Sequence, residues 1–189
     1  MSLRDELLSM RRTELMGRLV GGHAIDVDQI ADWEYRGISL GLPGFVDRLA
    51  WKTFSKIFHR DPALGVVRGW NVRLEQTGIE GPIKPITRGG EPVAFGHYRV
   101  ESLASYVMPY PVRRGLMLDY GRGGNPGLDP TRFLRDPVVA LEEGSVERLL
   151  GWSYVDLAGF RMGTPSFFLL ERLRPLERVV PAPGGTDLS

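Results

Sequence analysis

The chain has 189 residues, a hydrophobic share of 42%, a charged share of 25% and a formal net charge of +1. These values suit one globular domain and exclude a wholly disordered chain, which carries fewer apolar residues and more net charge. The near-neutral balance gives no electrostatic basis for nucleic-acid binding, and the lack of cysteine excludes disulfides, thiolate metal sites and cysteine nucleophiles.

Residues 1–22 read as a helical segment. Ser2 can cap it, Asp5 and Glu6 sit in its first turn, Leu8, Leu15 and Leu19 fall on one stripe, and Gly21-Gly22 ends it. The segment is charged throughout, without the apolar stretch of a secretory signal or a lipid-spanning run. Cytoplasmic residence without membrane insertion is the simplest expectation. A short acidic turn over Asp26 to Asp32 comes next, then an extended stretch to Leu40, broken by Gly41, Pro43 and Gly44.

Phe45 to His59 has helical period. Phe45, Val46, Leu49, Ala50, Phe54, Ile57 and Phe58 form a broad apolar stripe, with Asp47, Arg48, Lys52, Ser55 and Lys56 off it. Asp61-Pro62 closes this expected helix. From Val66 the period becomes two: Trp70, Val72 and Leu74 share one face, Asn71, Arg73 and Glu75 the other. Further strands are expected in VAFGHYRVES, RRGLMLDY, PVVALEE, LLGWSYVDL and SFFLLERL, separated by turns rich in Gly and Pro.

The pattern predicts a mainly β fold (α+β by content). It is an antiparallel barrel of about seven or more strands, with an N-terminal helix and a second helix covering the barrel. A sandwich stays open as the alternative, because several strands carry apolar atoms on both faces. Residues 1–180 form the single domain, and 181–189 (PAPGGTDLS) form a flexible tail.

Three patches resemble a family of small bacterial proteins that pair a GXWXG domain with a following domain of unknown function. They are Trp33-Glu34-Tyr35-Arg36-Gly37, Trp51-Lys52-Thr53-Phe54-Ser55-Lys56-Ile57-Phe58 and Phe167-Phe168-Leu169-Leu170-Glu171-Arg172. The GXWXG spacing is not kept, and the second motif lacks its Gly. The outline is also similar to lipocalin-like (calycin) folds. The resemblance implies a barrel and a pocket, with no catalytic residues to carry over. In such a barrel an early tryptophan, here Trp33, packs at the closed end beneath an arginine of the last strand, here Arg172. That pair is structural.

Among the histidines, His23, His59 and His97, no spacing puts two on one face, so no metal site is expected and no cofactor is implied. His97 lies mid-strand, where it could hydrogen-bond a ligand or act as a base if its face lines a cavity. The carboxylates Asp119, Asp136, Asp156, Glu142 and Glu143 are scattered. Asp119, beside Tyr120 and the loop Gly121–Gly127, is the strongest acid–base candidate of these. That loop lacks a phosphate-binding signature and reads as a lid at a barrel mouth. Trp70, His97, Tyr98, Tyr120, Trp152 and Tyr154 are the expected ligand-binding set.

Three functions fit. The first is a binding protein holding a small apolar or aromatic molecule in the barrel. The second is a cofactor-independent isomerase, cyclase or hydratase using the same cavity, with His97 or Asp119 as its polar group. The third is an interaction or assembly protein, with a homodimer as its simplest form, that uses the N-terminal helix.

Overall fold

The computed structural model describes residues 2–41 and 52–183. In chain order the elements are α1 (Leu3–Ser9), α2 (Arg12–Val20), α3 (Val27–Ile30), β1 (Trp33–Leu40), β2 (Thr53–Asp61), β3 (Val66–Arg73), β4 (Thr87–Arg88), β5 (Glu91–Pro92), β6 (Ala94–Ser102), β7 (Leu116–Asp119), β8 (Leu134–Glu142), β9 (Ser145–Leu157) and β10 (Phe160–Pro175). Eight strands close into an antiparallel barrel in the order β1-β10-β9-β8-β7-β6-β3-β2, and β4 and β5 pair in a small ribbon. Among the described residues no helix is long and apolar enough to cross a membrane.

The helix expected over Phe45–His59 is corrected in its second half. Thr53–Asp61 is a strand, paired with β1 on one side and β3 on the other. Residues 45–51 lie outside the described residues. Phe54, Ile57 and Phe58 suit a helical stripe on spacing alone. A strand buried on both faces, however, loses its alternation and mimics a helix. Pairing with two neighbours decides the matter.

The helical cover comes instead from the N-terminus. There the single expected helix is two, α1 and α2, separated at Met10 and Arg11. Ser2 caps α1 by accepting from the Asp5 amide, and the Asp5 carboxylate accepts from the Ser2 amide in return. Of the tail, residues 184–189 lie outside the described residues.

Alternation along the strands separates two cores. Leu7, Leu15 and Leu19 of α1 and α2 pack on Ile38, Leu40, Met117, Val139, Leu150, Trp152, Phe167 and Leu169, so this is the outer face of β1, β10, β9, β8 and β7. The second core draws on all eight barrel strands: Tyr35, Phe58, Val67, Tyr98, Leu118, Val138, Ala140, Leu149, Phe168 and Leu170. It is therefore the interior. Burying each such side chain contributes about 1.5–3 kcal/mol.

The interior rings lie across glycines of neighbouring strands. A Cβ on Gly37 would come 2.3 Å from the Phe54 ring, and one on Gly151 would come 2.1 Å from Phe168. Gly69 lets Tyr98 cross β3 and donate its hydroxyl to the Ile57 carbonyl on β2 at 2.6 Å.

One end of the barrel is closed. Ile25 and Ile30, flanking and within α3, join the interior core beside Tyr35 and Phe58. The Tyr35 hydroxyl donates to the Val146 carbonyl at 3.0 Å. Above them the Arg172 guanidinium sits 3.5 Å from the Trp33 ring centroid, and it also bonds Glu147 and the Gln29 carbonyl.

Candidate functional site

Along β2, Phe54, Lys56 and Phe58 alternate inward while Ser55 and Ile57 face outward. Lys56 stands opposite Tyr35 on β1 and Asn71 on β3, so all three side chains enter the barrel. Lys56 is 1% exposed. Its ammonium is surrounded by four aromatic rings, with centroids at 4.7 Å (Tyr98), 5.0 Å (Phe168), 5.2 Å (Tyr120) and 5.9 Å (Phe54).

Lys56 Nζ donates to the Tyr120 hydroxyl at 2.7 Å, which donates in turn to Asp136 Oδ2 at 2.9 Å. The direct separation of Lys56 Nζ and Asp136 Oδ2 is 3.5 Å, long for a hydrogen bond, so the attraction there is chiefly electrostatic. Asn71 Nδ2 approaches the Tyr120 hydroxyl at 3.4 Å and donates to the Gly96 carbonyl at 3.1 Å. Gly96 has a positive φ where the β3–β6 register is irregular, a bulge that aims its carbonyl at Asn71. Asp136 is 2% exposed, and no described residue hydrogen-bonds its Oδ1.

Burying two opposite charges costs several kcal/mol per ion after relaxation, and their attraction offsets this only with good geometry. Here desolvation dominates. It pulls the Lys56 amine down to about 8, against the opposing pull of Asp136. Desolvation likewise pushes the Tyr98 and Tyr120 hydroxyls well above their ordinary value, so both keep their protons. The site thus offers an amine near its neutral form, a hydroxyl linking it to a carboxylate, and ring faces that favour a cation.

The six residues expected to bind ligand do not form one site. Tyr98 and Tyr120 point inward, in the Lys56 network. His97 points outward, because neighbours on a strand face opposite ways. Its ring lies 6.1 Å from Trp70, also on the outer face, where Ile57, Trp70 and Val72 pack with Leu176 and Val180. Burial, with Arg68 nearby, pulls His97 down to about 4. Trp152 and Tyr154 sit on the opposite outer face, stacked 5.7 Å apart in the core beneath the helices. Trp152 also borders a surface groove of about 400 Å³, with Arg12, Thr13, Tyr110 and Phe167 around it.

Asp119 also faces outward. It is bound by Arg135 at 3.1 Å and by the Tyr106 hydroxyl at 2.7 Å, and it accepts from the Gly121 amide. These bonds fix a turn. The Gly121–Gly127 loop is held against β6 rather than over a mouth: Asn125 accepts from the His97 amide and donates to the His97 carbonyl.

Lys56 and Asn71 were absent from the expected set, and Asp136 stood undistinguished among the carboxylates. Composition carried a signal for the first. The chain has three lysines against 21 arginines, and two of the three, Lys52 and Lys56, fall within the aromatic stretch Trp51–Phe58. A lysine, unlike an arginine, can lose its proton when buried. No known family model matches the chain, and no curated protein matches it.

Proposed function

We propose that the chain is a small-molecule binding barrel, in which an apolar or aromatic ligand places a polar head at the Lys56–Tyr120–Asp136 centre. One observation carries this reading: a buried ion pair, whose Asp136 Oδ1 no described residue hydrogen-bonds, in an interior of aromatic and aliphatic side chains. Stability alone gives little reason for such a centre, since buried pairs are often replaced by apolar residues without loss. Perturbed groups of this kind concentrate at functional sites. The likeness to GXWXG-domain proteins belongs to the same reading, as a barrel with a pocket.

The ligand chemistry follows from the charges. Lys56 and Asp136 offset one another, so a neutral head is favoured over an anion. The free Asp136 oxygen favours a hydroxyl or N–H donor. Ring faces and aliphatic walls suit a flat apolar body.

Titration with 1-aminoanthracene, a neutral fluorescent arene with an N–H donor, tests this. One equivalent should bind, and Lys56→Met should weaken it about tenfold, the equivalent of 1.4 kcal/mol. The groove beside Trp152 is the competing location. Binding lost in Thr13→Trp but unchanged in Lys56→Met would move the site to that groove and overturn the interior reading.

A further inference from the structure

We infer that Lys56 is an imine-forming amine, and that the ligand class of the barrel is an apolar aldehyde or ketone held covalently through its carbonyl carbon. This rests on the reading of the barrel as a small-molecule binder and adds the reactive group of the ligand.

The argument starts from what a purely structural cation would need. A guanidinium would satisfy more acceptors and would never lose its proton. The chain supplies arginine at 21 positions, yet lysine stands here, 1% exposed. A primary amine forms a bond to carbon once it is neutral, and burial among apolar walls makes it neutral within reach of ordinary pH. The groups facing it are Tyr98, Tyr120 and Asp136, with the rings of Phe54 and Phe168.

The chemistry balances at this site without a co-reactant. The ammonium first gives up a proton, for which Asp136 is the acceptor through Tyr120. The neutral Nζ attacks the carbonyl carbon, and the C=O electron pair moves to oxygen. The Tyr120 hydroxyl protonates that oxygen, recovering its proton from Asp136. The nitrogen's second proton passes through the same relay to the carbinolamine hydroxyl, which leaves as water, and C=N forms. Net, ammonium plus carbonyl gives protonated iminium plus water.

The positive charge therefore begins and ends at the same place. The four ring faces that hold the ammonium at 4.7–5.9 Å face the iminium equally, and Asp136 remains its counter-ion. Asp136 Oδ1, which no described residue bonds, is free to accept from the carbinolamine hydroxyl. Of the four rings Phe54 is the least buried, and it lies away from the end sealed by Tyr35, Ile30 and the Trp33–Arg172 pair.

The experiment uses the full folded chain at pH 7.5 with benzaldehyde and sodium cyanoborohydride, which traps an imine as a stable benzylamine. Adducts are read by intact mass and peptide mapping. With only Lys52, Lys56 and Lys84 besides the N-terminal amine, assignment is direct. The expected result is one benzyl group, on Lys56, formed ahead of the exposed Lys84. That preference should vanish in urea. Tyr120→Phe should slow trapping by at least about tenfold, on the scale of a lost proton relay.

Modification of Lys84 or the N-terminus with Lys56 untouched overturns the proposal, as does trapping at Lys56 only in urea. The two readings fail separately. Lys56-dependent binding of 1-aminoanthracene without an adduct removes the imine and leaves the binding barrel. Loss of both removes both.

Discussion

Two of the cations that the barrel holds against aromatic rings, Arg172 and Lys56, differ in every respect but that contact. At the closed end Arg172 lies on a single ring, Trp33, with its side chain 19% exposed and hydrogen bonds to Glu147 and Gln29. In the interior Lys56 has four rings around it, 1% exposure and a long contact to one carboxylate. The same attraction serves different ends. Arg172 ties β10, β9 and the segment around α3 together with a charge that solvent and partners support. Lys56 carries a charge that its surroundings barely support and that is close to being lost. The first arrangement fastens a fold, while the second stores a reactive group.

That difference can be broken most forcefully from the Asp136 side. Asp136→Ala leaves a buried ammonium without its counter-ion and should cost about 3–5 kcal/mol, read as a fall in the urea midpoint. The double variant Lys56→Met with Asp136→Leu should recover most of that loss. A single-variant cost below about 1 kcal/mol would mean that the rings alone hold the charge.

The alkaline limb of stability separates the two cations next. The folded value of Lys56, about 8, lies below the ordinary lysine value, so between the two the unfolded chain binds more protons. Stability should therefore rise with pH from about 8 toward 10, by up to roughly 3 kcal/mol. Above about 10 it should fall, because Tyr98 and Tyr120 ionise only in the unfolded chain. Lys56→Met should abolish the rise and keep the fall. Thermal midpoints across pH 7–11 test this, and a flat profile in the unaltered chain would contradict the desolvated amine.

His97 supplies a milder contrast on the outer face, a buried base with no counter-ion among the described residues. Its folded value of about 4 lies below its ordinary one, so acid protonates the unfolded chain first. Stability should drop between about pH 6.5 and 4, by about 1–3 kcal/mol, and His97→Gln should remove that part of the acid limb. If the two chains lose stability in parallel over this range, carboxylates alone govern it.

These contrasts also explain what could be read from the sequence. Period-two alternation after Val66 and the spaced Gly and Pro turns made an antiparallel barrel legible, because each strand there borders a turn of recognisable chemistry. β2 was not legible. Burial on both faces removed its alternation, and the reading as a helix then placed Lys56 on a polar surface, far from the interior it occupies. Tyr98 and Tyr120 were singled out for their rings, but their partners lie 41 and 16 residues away, at Ile57 and Asp136. Separation of that kind has no local signature. His97 and Tyr98 could not both line a pocket, and strand alternation alone is enough to say so.

The smallest expected effect lies at the closed end. Arg172→Met keeps an apolar stem over Trp33 and removes the cation, so the loss should be about 0.5–2 kcal/mol. Part of that belongs to the bonds with Glu147 and Gln29, so Glu147→Gln is the companion variant. Neither change should alter the rise in stability above pH 8, nor the rate at which Lys56 is trapped by benzaldehyde. Those two readouts belong to the interior, and Tyr35 and Phe58 stand between it and the Trp33 ring. If Arg172→Met speeds trapping severalfold, the sealed end is an entrance too, and the division between a fastened end and a reactive centre fails.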